Sequence, residues 1–255
     1  MDQRIHAAED TVQLSYIVER VEWQPGAASI HVRSALDGSR HELRSRRVIV
    51  TIPLVVLQAR PDSEGAIQFV PEPREALEAA RSLAFGNVFR VTLRFHRAFW
   101  ESNREALRNR LPVFAEPVLS HLVDSQSGLG ARAHRLERGT AADPLIGMSR
   151  SEIVASALSS LQQILGMPAL EPRAAYFHGW QADPFTRGAY SYVPAGALAA
   201  HRVLAQPISD ILCFAGEATD LTGHSATVHG AIASRRRVAG QIVAFAADSK
   251  QGHLL

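Results

Sequence analysis

Eight consecutive residues, Val88-Phe89-Arg90-Val91-Thr92-Leu93-Arg94-Phe95, alternate so regularly that an extended strand is the only conformation that suits them. Successive strand side chains point to opposite faces, so Phe89, Val91, Leu93 and Phe95 share one face and Val88, Arg90, Thr92 and Arg94 the other. Arg90 therefore points away from the aromatic-rich side. A second segment has the other periodicity. Ser149 and Glu152 form a capping box, and behind them Ile153, Val154, Ala157, Leu158, Leu161, Ile164 and Leu165 trace one helical face until Gly166 and Pro168 stop it. A chain with both patterns folds as α/β or α+β.

The first fifty residues read as β-structure, with Asp37-Gly38 as a hairpin turn signal. Val48-Ile49-Val50 is a short apolar run of the kind seen in a strand buried on both faces, and Pro53 is expected to end it in a turn. Pro73 opens a helix over residues 74–81. The polar, glycine-containing stretch from Glu101 to Asp143 carries no assignable pattern. A last helix runs from about Val228 into the 240s, with Ile232, Val238, Ile242 and Val243 on its apolar side.

Composition narrows the functional classes. The formal charge is 27 − 25 = +2, too small to announce a polyanion partner. Basic clusters such as Arg44-Ser45-Arg46-Arg47 and Arg235-Arg236-Arg237 lack interleaved aromatics and read as solvated or phosphate-facing, so no nucleic-acid partner is expected. No run approaches the roughly 18 apolar residues that cross a bilayer, and none follows Met1 as a secretory signal would. One cysteine, Cys213, excludes an internal disulfide and a multi-cysteine metal site. His224 and His229 are five residues apart and form no helical metal pair. A cytoplasmic protein without a metal is the expectation.

The chemistry-bearing region is a short strand ending in Gly-Glu, a loop, and a helix start rich in small residues. Gly216 allows close backbone approach, and the helix amino terminus offers free N–H groups and partial positive charge. Cys213-Phe214-Ala215-Gly216-Glu217-Ala218-Thr219, followed by Ala226-Thr227-Val228-His229-Gly230-Ala231, resembles the FAD-binding signature of the flavin-containing amine oxidases, the family of monoamine oxidases, polyamine oxidases and lysine-specific histone demethylases. Trp180-Gln181-Ala182-Asp183-Pro184-Phe185 with Arg187-Gly188-Ala189-Tyr190-Ser191-Tyr192 resembles that family's substrate-side segment. Val48 to Leu57 resembles its VIVTVPLGVL stretch, and Leu14 to Val21 its adenine-contacting strand.

The resemblance implies a partial FAD-binding Rossmann-like domain with an inserted mixed-sheet substrate domain: residues 1–86 and 200–250 in the first, 87–199 in the second. It assigns Val18, Gly216, Glu217, Thr227 and Val228 to the cofactor. Trp180, Phe185 and Tyr190 go to the amine substrate, and Arg90, Tyr190 and Thr227 to the reacting centre. The implied reaction is hydride transfer from an amine C–H to FAD, with oxygen as the reoxidant.

Four positions depart from the family pattern. No G-x-G-x-x-G follows a first strand, so the pyrophosphate cradle is not among these residues. About half of a family member is absent, and a truncated form is expected. Arg90 stands where the family has a lysine, and arginine stays protonated. Ala189 stands where monoamine oxidases bond flavin through cysteine, so FAD is expected to be noncovalent. Arg235 replaces a close-packing glycine. Two other readings stay open: a catalytically inactive fragment, and a noncatalytic module that pairs with a separate Rossmann half.

Overall fold

A computed structural model describes residues 12–96, 121–123, 132–138 and 143–251. The chain forms two compact units, Met1–Ala84 with Tyr190–Leu255, and Phe85–Ala189. The chain thus re-enters the first unit at Tyr190, so residues 190–199 belong with the discontinuous unit.

The first unit opens with β1 (Tyr16–Gln24), β2 (Ala27–Ser34) and β3 (Arg40–Ser45), an antiparallel meander. The expected turn at Asp37-Gly38 is present. Asp37 Oδ1 accepts from the Ser39 amide at 3.0 Å and the Ser39 hydroxyl at 2.7 Å, and Gly38 takes φ +75°. Next come β4 (Val48–Val50), a one-turn helix α1 (Leu54–Leu57), β5 (Gln68–Val70) and α2 (Arg74–Ser82). Pro53 thus begins a helical turn where a simple turn was expected, its fixed φ suiting the position before a first turn. Strand β5 joins β1 in parallel, which gives a mixed sheet of order β3-β2-β1-β5. The α2 carboxyl end is closed by the Gln58 amide, which donates to Ala80 O at 2.6 Å and Leu83 O at 2.9 Å.

The chain then passes through β6 (Ala84–Phe85) into the second unit, whose central strand is β7 (Val88–Arg94). Its expected face is borne out: Phe89, Val91, Leu93 and Phe95 are all buried, while Arg90 is exposed. Val88, on the Arg90 face, is buried as well. The unassigned stretch supplies β8 (His121–Val123) and β9 (Arg132–Arg138); its remaining residues up to 142 lie outside the described ones. Helix α3 (Arg150–Leu165) carries the capping box at Ser149 and Glu152 and ends at Gly166 in the left-handed region. Its Ile153, Ala157 and Leu161 pack on the β7 face; the Ile164 and Leu165 side chains lie outside the described residues. With β10 (Ala174–Gly179) the sheet order is β10-β7-β9-β8, antiparallel throughout, and Phe89 stacks on Phe177 at 6.0 Å.

The returning chain contributes β11 (Ser191–Tyr192), α4 (Ala200–Leu204), β12 (Leu212–Phe214) and α5 (Val228–Gln251). Strand β12 pairs in parallel with β4. The expectation that β4 is buried on both faces is corrected here: Ile49 is 46% exposed, because among the described residues β12 is β4's one neighbour. The apolar side of α5 is also corrected. Val238 is fully buried with Ile242 and Phe245 packed nearby, whereas Ile232 and Val243 are 37% and 70% exposed. At 3.6 residues per turn, the row that meets β12 (Ser234, Val238, Ile242) leaves Ile232 and Val243 on the flank. Among the described residues, no helix is long and apolar enough to cross a membrane.

Candidate functional site

The strand–loop–helix connection of the first unit is built around a glycine. After the buried β12, Gly216 adopts φ 131° and ψ 171°, a conformation open to glycine and strained for other residues. A Cβ there would meet no atom within 4 Å, so the glycine is required by its backbone angle and its outer side is open. The Gly216 amide donates to Ser234 Oγ at 2.9 Å, and its carbonyl accepts from the Thr219 hydroxyl at 3.0 Å. The chain then turns through a 3-10 segment, Glu217–Thr219.

Glu217 is the centre of the connection. Its Oε1 accepts from the Ser191 amide at 3.0 Å, and its Oε2 accepts from the Ser191 hydroxyl at 2.8 Å and the Ala226 amide at 2.7 Å. One carboxylate therefore ties the start of β11, directly after Tyr190, to the loop that starts α5. Three of roughly four acceptor positions on a carboxylate are taken by protein donors.

A second carboxylate shapes the loop. Asp220, 5% exposed, accepts from the Thr222 hydroxyl at 2.8 Å and from the Thr222 and His224 amides at 3.2 and 2.6 Å. Burial opposes its ionisation, but the bonds from Thr222 and His224 outweigh burial and hold the carboxyl below its ordinary range. The loop folds back onto α5 at Gly230, where a Cβ would come within 2.3 Å of the His224 carbonyl oxygen. Thr227 is the amino-terminal cap of α5: its hydroxyl donates to His224 O at 2.6 Å and accepts from the Gly230 amide at 3.1 Å. Val228, the first helical residue, is 67% exposed.

Arg237, grouped from sequence with a solvated basic cluster, is instead part-buried behind this connection. It donates to Ala205 O at 2.6 Å, Phe214 O at 2.9 Å and Thr219 Oγ1 at 3.1 Å, holding α4, β12 and the 3-10 turn in one arrangement. Arg235 and Arg236 are exposed, as expected.

Of the residues singled out from sequence, Gly216, Glu217, Thr227 and Val228 lie together here, and Tyr190, 40% exposed, is joined to them through Ser191. Val18 lies in β1, half-buried against the core that also contains Leu212, Phe214 and Ala218. Arg90, Trp180 and Phe185 belong to the second unit. Arg90 lies opposite His178 in the β7–β10 register, and the Trp180 ring meets His178 edge-on at 4.3 Å. Phe185 is 43% exposed in the following turn. Sequence reasoning missed Ser191, Asp220, Gly230, Ser234 and Arg237. Asp220-x-Thr222 carried a local turn signal for one of them, and Gly230 is set by the nearby His224 carbonyl; Ser191, Ser234 and Arg237 are defined by distant partners. Among the described residues, no cluster of three or more histidine, cysteine, aspartate or glutamate side chains is arranged to hold a metal ion.

The open side of Gly216 and the exposed amino terminus of α5 are what a closely approaching, electron-rich cofactor needs. Residues 1–243 match the family of flavin-containing amine oxidoreductases. A lysine-specific histone demethylase 1 homolog 1 of Oryza sativa subsp. japonica is 32% identical over 249 residues, 94% of this chain and 28% of that protein. The human peroxisomal N(1)-acetyl-spermine/spermidine oxidase is 29% identical over 276 residues, 95% of this chain and 52% of that protein. Among solved structures, putrescine oxidase bound to putrescine superposes with TM-score 0.71 at 21% identity over 94% of this chain and 51% of that one. Cyclohexylamine oxidase from Brevibacterium oxydans does so with TM-score 0.69 at 18% identity, over 95% of this chain and 52% of that one. The chain thus spans from about a quarter to about half the length of these four proteins. By its match along nearly the whole sequence and by its mixed α/β fold, the chain belongs to the flavin-containing amine oxidase family.

Proposed function

We propose that this chain forms the amine-facing part of a flavin-dependent amine oxidase, acting on an aliphatic amine with noncovalent FAD and oxygen. The pyrophosphate-binding βαβ unit is contributed by polypeptide outside these 255 residues. The observation that carries the reading is the Glu217 knot. It couples the residue after Tyr190 and the residue before Thr227 to the Gly216 turn through bonds of 2.7–3.0 Å.

FAD, when bound, supplies the electron sink that takes hydride from the amine carbon and returns electrons to oxygen. The chain's own groups position and polarise. Gly216 lets backbone approach the cofactor without a Cβ in the way. The amino terminus of α5, capped by Thr227 and led by Val228, presents N–H groups and partial positive charge that favour a negatively charged ring edge. Glu217, its carboxylate held by three bonds from Ser191 and Ala226, sets the spacing of these elements. Tyr190 supplies an aromatic face for the amine. Val18 serves the adenine end. Arg90, a fixed cation, orients a water molecule and does not accept a proton. Ala189 offers no thiol, so FAD is held without a covalent bond. The human polyamine oxidase and the demethylase homologues among the relatives support an alkylamine class of substrate.

The test is visible flavin absorption of the chain purified together with a family-type βαβ half. The wild-type chain retains flavin. Gly216→Val loses it, because the side chain both strains φ 131° and fills the open side. Wild-type chain that stays colourless in a folded complex would leave the inactive-module reading standing.

A further inference from the structure

Gly216 has no side chain to hold it in place, yet both of its backbone polar groups are held by buried hydroxyls. Its amide donates to Ser234 Oγ at 2.9 Å, and its carbonyl accepts from Thr219 Oγ1 at 3.0 Å and from the Thr219 amide at 3.1 Å. Ser234 is 2% exposed and Thr219 3%. Neighbours fix the direction of each hydroxyl proton. Ser234 donates to Ala231 O at 2.8 Å, one turn back in α5, which leaves a lone pair for the Gly216 amide. Thr219 Oγ1 accepts from Arg237 Nη2 at 3.1 Å, and a guanidinium only donates, so the Thr219 proton goes to the Gly216 carbonyl.

Ser234 thus fixes the peptide plane that precedes Gly216, and Thr219 fixes the plane that follows it. Because each peptide is planar, the two planes set φ and ψ, and no soft dihedral is left at this glycine. The lock has a direction. At ψ 171° the Gly216 carbonyl eclipses the residue's own nitrogen, so its oxygen lies away from the Cβ direction, the side on which a Cβ would meet no atom within 4 Å. A glycine left to itself crosses between such conformations at little cost. A turned plane would bring a carbonyl oxygen to the open side, where it would repel an electron-rich group.

We propose that Thr219 and Ser234 are positioning residues for the flavin cofactor, which lock Gly216 with its carbonyl turned away and its open side free for the cofactor's approach. Both are too buried to touch a ligand and act through the glycine backbone. Arg237 is the third member of the clamp, since it orients the Thr219 hydroxyl. The inference rests on the flavin reading above.

The experiment compares Thr219→Val, Thr219→Ser and Ser234→Ala in the full chain with Leu161→Val, a control that loosens the core of the second unit. Residual dipolar couplings of the Gly216 and Glu217 N–H bonds report the two peptide planes directly. In Thr219→Val the Glu217 coupling falls toward zero as its plane samples two orientations, and in Ser234→Ala the Gly216 coupling does so. Thr219→Ser keeps the hydroxyl and the wild-type coupling, and Leu161→Val keeps both couplings. In complex with a family-type βαβ half, Thr219→Val and Ser234→Ala weaken FAD binding by on the order of 10-fold. Thr219→Ser and Leu161→Val bind FAD as the wild type does. The proposal is overturned if Thr219→Val keeps its Glu217 coupling, or if the couplings collapse while FAD affinity holds. Equal loss of affinity in Leu161→Val also overturns it, because general stability then accounts for the effect. A wild-type complex that holds no FAD sinks the flavin reading and the cofactor role of both hydroxyls with it, whereas couplings that still depend on Thr219 and Ser234 keep the lock on Gly216.

Discussion

Replacing Glu217 by alanine removes the acceptor for three donors at once: the Ser191 amide, the Ser191 hydroxyl and the Ala226 amide. The hydroxyl can rotate to another acceptor, but the two amides cannot move without their loops. Each amide left without an acceptor costs about 1–3 kcal/mol when water cannot reach it fully. Both lie at a part-buried position, so about 2–4 kcal/mol in total is expected. For a chain of this size, about 2–4 °C per kcal/mol makes a drop in Tm of roughly 4–16 °C. Glu217→Gln keeps one oxygen but turns an NH2 group toward a donor, and should lose roughly half as much. The assay is thermal unfolding combined with amide exchange at Ser191 and Ala226. Coupled loss of protection at both amides is the signature of a knot, and it should appear even in Glu217→Gln. An alanine variant that melts with the wild type and keeps both amides protected would refute the reasoning, and with it the idea that one carboxylate spaces Tyr190 from Thr227.

Other outcomes follow from the same geometry. Gly230→Ala drives a Cβ to 2.3 Å from the His224 carbonyl oxygen and should destabilise by about 1–3 kcal/mol, whereas Gly240→Ala, which meets nothing within 4 Å in the same helix, should stabilise by about 0.5–1 kcal/mol; equal melting shifts would contradict this. Arg237→Lys cannot span Ala205 O, Phe214 O and Thr219 Oγ1 with a single ammonium, so denaturant unfolding should show a loss of about 2–3 kcal/mol. Asp220 has a folded-state pKa below its ordinary 3.8, so the stability it contributes is complete above that value and is lost as pH falls through the depressed one; Asp220→Asn should flatten that acid limb in a pH series of melting curves. Asp37, held at about 2 chiefly by the Ser39 hydroxyl and amide, works in the same direction, and its loss completes only near that pH.

Much of the architecture was legible from short-range pattern. The alternation over residues 88–95 determined that Phe89, Val91, Leu93 and Phe95 share one buried face, because strand geometry leaves a period of two no other choice; it did not tell that Val88 on the other face is buried too. Ser149 and Glu152 announced the start of α3, since a capping box satisfies its donors within four residues. Gly216 read as a point of close backbone approach, and the φ of 131° that calls for glycine there emerged only in the structure. Pattern was less able to say what each face would meet. Ile232 and Val243 matched an apolar helical face as well as Val238 did, but only Val238 lies over β12. Ile49 read as a strand interior and became an edge, because burial depends on neighbours and not on the strand's own composition.

By itself, then, the sequence determined the β7 strand with its buried aromatic face, the capped start of α3 and the family to which the chain belongs. Tertiary structure decided how the site is wired. Glu217 finds Ser191 across 26 residues, and Arg237 finds Phe214 across 23. The physical reason is range. Periodicity and capping act within a turn or two of the chain, while a carboxylate or guanidinium is satisfied by whichever distant backbone the topology brings within about 3 Å.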